Sequence, residues 1–77
     1  MNKVRRKALE AVSAKIEELK SELETLRDEE EEYRDMIPEN MQSSERYERA
    51  ESAVDALESA VGSLEEVVDY ISEAVEQ

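Results

Sequence analysis

Leu9-Glu10-Ala11-Val12-Ser13-Ala14-Lys15-Ile16-Glu17-Glu18-Leu19-Lys20-Ser21-Glu22-Leu23-Glu24-Thr25-Leu26, continuing through Glu30 and Tyr33 to Ile37, is the stretch that decides the fold. Its apolar residues recur at alternating steps of three and four. With Leu9 at heptad position a, Ile16, Leu23, Glu30 and Ile37 also fall at a, and Val12, Leu19, Leu26 and Tyr33 fall at d. Glu30 is the one polar intruder in this seam. A register held over four heptads is the mark of a helix packed as a coiled coil, and random polar sequence does not keep it.

Outward from this stretch the pattern repeats. Tyr47, Val54, Val61, Val68 and Val75 take position a, and Ala50, Leu57, Leu64 and Ile71 take position d. Pro38 disfavours helical geometry at Ile37, which places the end of the first helix near Met36. Ser43 or Ser44 can accept from the free N–H groups that open a second helix, with Glu45 beside its positive end. The spacing predicts a first helix over about 3–36, a loop over about 37–43 and a second helix over about 44–76. A loop this short joins antiparallel neighbours. Gly62, at position b, weakens the second helix relative to Ala.

Charge supports the same register. The e positions of the first half carry Lys20, Arg27 and Arg34, and those of the second carry Glu51, Glu58 and Glu65. Folding the chain between residues 42 and 43 sets Arg34 against Glu51, Arg27 against Glu58 and Lys20 against Glu65. Such exposed pairs specify register more than they stabilise. This register stacks the a and d residues of both halves into core layers, among them Tyr33–Val54, Leu26–Val61, Leu19–Val68 and Val12–Val75. The g row of the second half, Ala53, Ala60, Val67 and Ala74, widens its apolar face beyond what one narrow seam needs. The fold expected is all-α: an antiparallel two-helix coiled-coil hairpin, single-domain over 1–77, that dimerises through this stripe into a four-helix bundle. Docking on a different protein, or Ala chosen for helix propensity alone, are the other readings of the stripe.

Composition bounds the chemistry. The 77 residues hold 22 acidic and 10 basic side chains for a net charge of −12, with no Cys and no His. A disulfide framework and a thiolate metal site are thereby excluded, and the usual general base and commonest metal ligand are missing. No glycine-rich phosphate loop or calcium-binding loop is present. No enzyme activity, metal or cofactor is expected. No apolar run reaches membrane-spanning length and no signal-peptide core follows the basic start, so a cytoplasmic protein without membrane contact is the expectation.

The charge is unevenly placed. Lys3, Arg5, Arg6 and Lys7, with Lys15, meet only Glu10 among the first 15 residues, whereas no base follows Arg49. Position b of the first half reads Glu10, Glu17, Glu24 and Glu31, thickened by Asp28, Glu29 and Glu32. A rod lined with carboxylates imitates a nucleic-acid backbone and suits a basic groove on a partner. Its alternative is a solvated, solubilising face. Direct nucleic-acid binding by this acidic body is opposed by repulsion. The N-terminal basic cluster is read as neutralising Glu73, Glu76 and the C-terminal end of the second helix, with phosphate binding as its alternative.

The segment Pro38-Glu39-Asn40-Met41-Gln42-Ser43-Ser44-Glu45-Arg46-Tyr47-Glu48, followed by Ala53-Val54-Asp55-Ala56-Leu57-Glu58, resembles small acidic helical-hairpin proteins of Firmicutes prophages and conjugative elements. The basic start and the acidic run before Tyr33 extend the likeness over nearly the whole chain. The resemblance implies a mobile-element setting, in which small acidic proteins act as inhibitors of host defence nucleases or as nucleic-acid mimics. The function expected is a non-enzymatic protein-interaction module of this anti-CRISPR-like kind, acting on a basic host protein. The alternatives are a scaffold acting only by self-assembly, and nucleic-acid binding through the basic N-terminus.

Overall fold

A computed structural model describes all 77 residues as two long helices, α1 (Lys3–Asp35) and α2 (Glu45–Glu76), laid side by side in an all-α hairpin. The molecule is a rod of 59 × 15 × 12 Å. Asn2 opens α1, its side-chain oxygen accepting from the Arg5 N–H at 2.7 Å. Ser44 opens α2 in the same way, accepting from the Tyr47 N–H at 3.3 Å. Each hydroxyl or amide oxygen satisfies a backbone donor that the helix leaves unpaired. Glu45 and Glu48 lie in the first turn of α2, where its dipole favours negative charge.

The turn is built by local hydrogen bonds. The Met36 N–H donates to the Glu32 carbonyl and the Ile37 N–H to the Arg34 carbonyl, each at 3.1 Å. Pro38 has no N–H with which to continue the helix. A single 3₁₀ turn over Glu39–Met41 then redirects the chain, closed by the Met41 N–H on the Pro38 carbonyl at 2.8 Å.

Only Ile37, Ala50, Val54 and Val61 are buried. Ile37, Ala50 and Val54 sit in the half of the rod nearer the loop, and Val61 sits near its middle. On α2 the a and d rows face the partner helix, with Leu57, Leu64, Val68, Ile71 and Val75 half-buried. On α1 the a row does so too: Leu9, Ile16, Leu23 and Glu30 are half-buried. The d row does not. Val12, Leu19, Leu26 and Tyr33 are 45–54% exposed, so the four layers expected to contain them are open on one side.

The reason lies in the e row of α1. Ser13, Lys20, Arg27 and Arg34 are all half-buried, and the three basic side chains retain only 19–24% of their exposure. Helix α1 is rotated so that its alkyl stems cover the seam while the charged heads reach water. A single neighbouring helix contacts only part of the circumference, and a and e occupy it. The expected register survives in one ion pair, Lys20–Glu65 at 3.5 Å. Arg27 and Arg34 pair instead with Asp28 and Asp35, each next in sequence, at 3.0 and 3.1 Å.

Candidate interaction surfaces

The two helices give the rod two unlike sides. On α2 between Glu51 and Glu76, every charged residue stands at position b, e or f, while positions c, g, d and a carry none. Going round a helix the rows follow the order a, e, b, f, c, g, d, so the charged rows form one continuous arc and the uncharged rows the other. The Lys20–Glu65 bridge joins the e rows and marks the charged side of the hairpin. On the opposite side runs a groove of about 750 Å³ lined by Leu19, Leu23, Leu26 and Leu64 with Glu22 and Thr25.

The acidic candidates divide by their neighbours. Glu17 lies 3.5 Å from Lys20, Glu31 3.6 Å from Arg34, and Asp28 accepts from the Arg27 guanidinium at 3.0 Å. Glu10, Glu24, Glu29 and Glu32 form no ion pair. The e-row cations therefore neutralise Glu17 and Glu31 of the b stripe on α1 and leave Glu10 and Glu24 unpaired. Partial burial lowers the Lys20 pKa, but Glu17 and Glu65 outweigh it and hold the ammonium above the usual lysine range. The hydrogen bond to Asp28 raises Arg27, with burial opposing and Asp28, Glu24 and Glu58 adding charge attraction. Asp35 does the same for Arg34.

Net negative charge is concentrated on α2, where ten acidic residues meet two basic ones, against eleven and eight on α1. Glu51, Asp55, Glu58, Glu66, Asp69, Glu73 and Glu76 form no ion pair. These residues belong to the acidic surface although they lie outside the b stripe of α1. Their signal is legible in the sequence as an absence of any base after Arg49.

The small-residue stripe lies on the uncharged arc of α2, with Ala53, Ala60 and Ala74 half-buried and Val67 40% exposed. Tyr70, one row further out, is 69% exposed. More apolar area is offered by the d row of α1 than by this stripe.

The basic cluster makes no ion pair within the chain. Lys3, Arg5 and Lys7 are exposed, and Arg6 is half-buried with its Nη2 donating to the Met1 carbonyl at 3.4 Å. Neither Glu73 nor Glu76 approaches a base within 4.0 Å. The contacts thus differ from the local neutralisation expected: Lys3, Arg5 and Lys7 are exposed, and none of the four basic side chains has a carboxylate within 4.0 Å.

No three acidic side chains converge in a geometry that holds a metal ion. No helix is long and apolar enough to cross a membrane. The other concavities are a groove at the loop end bounded by Glu30, Tyr33, Arg46 and Arg49 and one at the open end bounded by Ser13, Ile71 and Val75. Compared with protein-family models, curated proteins and solved structures, the chain matches none.

Proposed function

We propose that this chain is a non-enzymatic protein-interaction module whose carboxylate-lined side occupies a basic groove on a partner protein. The observation that carries the reading is the segregation of charge on α2, where unpaired carboxylates line one side of a straight rod. Fixed charges at helical spacing present a periodic negative array without the entropy cost of ordering a flexible tail. Their summed field speeds encounter with a basic surface. In the mobile-element setting of the acidic hairpins it resembles, the partner is a host nucleic-acid-binding or defence protein, and the rod acts as a nucleic-acid mimic.

The test is displacement. Labelled duplex DNA is bound to a basic, sequence-independent DNA-binding protein, and the chain is titrated in while fluorescence anisotropy is followed. Release of the duplex is expected, weakening as salt rises. Changing Glu51, Glu58 and Glu66 together to Lys is expected to abolish release with helicity unchanged by circular dichroism. Undiminished release by that variant would remove the mimic reading.

A second reading, assembly, is favoured by the uncovered d row of α1.

A further inference from the structure

We propose that the apolar side of the hairpin is covered by a second copy of this chain, packed face to face and antiparallel, with the loop of each copy at the open end of the other. This inference is independent of the acidic reading above, because it concerns the opposite side of the rod.

Surface area makes the first argument. The chain exposes 5746 Å², whereas a compact folded monomer of 8.9 kDa exposes about 4,800 Å². The excess, about 900 Å², is close to the area of about 800 Å² that each partner contributes to a standard stable interface. The broad face of the rod, 59 × 15 Å, has that size.

The composition of the face makes the second. Val12, Leu19, Leu26 and Tyr33 stand on α1 at heptad spacing and roughly half exposed. Across the groove, Ala53, Ala56, Ala60, Ser63, Val67 and Tyr70 form an uncharged row of alternating three- and four-residue steps on α2. Such a pair of seams is what a four-helix bundle needs and what a lone hairpin leaves wet. A two-fold axis across the rod sets α1 against α1 and α2 against α2, each pair antiparallel. The small residues let the two α2 helices approach closely.

Charge selects the orientation. Arg5 continues the d row and Lys15 lies beside it at g, both exposed and neither in an ion pair. At the other end of the same face stand Glu29 and Glu32, also exposed and unpaired. Arg5 and Glu29 lie about 36 Å apart along one helix and cannot meet within a chain. An antiparallel second copy brings each basic end over an acidic end, twice by symmetry. A parallel copy, related by a two-fold axis along the rod, sets α1 against α2, whose c, g and d rows from Glu51 to Glu76 offer no carboxylate to Arg5 and Lys15.

Sedimentation equilibrium over a hundred-fold concentration range is expected to give a dimer. Changing Leu19 and Leu26 together to Glu is expected to raise the dissociation constant at least about 100-fold. Reversing Arg5 and Lys15 to Glu is expected to weaken the dimer, and adding Glu29→Lys with Glu32→Lys is expected to restore it. These four side chains are exposed, so they carry the test even if the leucine variant loses helicity. The chain has no cysteine, which allows a single spin label at Asn40→Cys in the loop. The two labels are expected nearly the 59 Å length of the rod apart. A monomer throughout, a dimer indifferent to the leucine and charge changes, or labels lying side by side would each overturn the proposal. DNA displacement by a monomeric chain would leave the acidic reading standing alone.

Discussion

Lys20 illustrates how one side chain does two jobs at the seam. Its stem is packed against α2 and its ammonium bridges Glu17 on its own helix and Glu65 on the partner. The pKa is raised in the fold because these carboxylates outweigh partial burial. The folded chain thus holds this proton more tightly than the unfolded one. Its stabilisation is fully present below the ordinary lysine range and is lost as pH rises through the higher folded value. Urea midpoints followed from about pH 8 to about pH 11 are expected to fall at the alkaline end, with a smaller fall in Lys20→Met. Equal alkaline losses in both chains would place the effect elsewhere. Glu30 is the converse case, an acid at a core position. It is half-buried beside Tyr33, Arg46 and Arg49 without forming an ion pair. Its seat near the loop groove lets its carboxylate keep water as a partner.

At the scale of the element, the two helices differ in what holds them. Helix α1 has no buried residue, whereas α2 contributes Ala50, Val54 and Val61. Helix α1 is long and rich in Glu, Leu and Lys, which favour helix intrinsically, but its helicity also draws on its contact with α2. Helix α2 carries one residue with poor propensity, Gly62. A methyl group added there meets nothing within 4 Å, and its φ is not positive. Gly62→Ala is therefore expected to stabilise by about 1 kcal/mol and to raise the melting temperature by several degrees. Circular dichroism melts check this, and an unchanged midpoint would mean that helix propensity at this site does not limit stability.

For the whole molecule, net charge dominates. A charge of −12 on a rod this thin gives strong self-repulsion. Four ion pairs bind neighbours on one helix face or in sequence, one links the helices, and one spans a helical turn of α2. Repulsion therefore has the longer reach. Raising sodium chloride from about 0.01 M to about 1 M shortens the screening length from about 30 Å to about 3 Å. The melting temperature is expected to rise over that range. A fall would show that the ion pairs outweigh the repulsion between the acidic faces.

The sequence alone determined the elements and their pairing. Heptad spacing, Pro38 and the Ser43–Ser44 start of the second helix are local features. A register with midpoint between residues 42 and 43 followed from matching charge rows, of which Lys20–Glu65 is realised. The acidic surface was legible only in part, because charge counts along the sequence do not reveal that the e-row cations fold back onto Glu17, Asp28 and Glu31. What only the tertiary structure decided was the rotation of α1 about its axis. A heptad pattern marks three adjacent rows, a, d and e, as able to face a partner, but one helix can cover only part of that arc. Packing chose a and e, because the stems of Lys20, Arg27 and Arg34 cover apolar surface while their heads stay wet, and this left Val12, Leu19, Leu26 and Tyr33 facing outward.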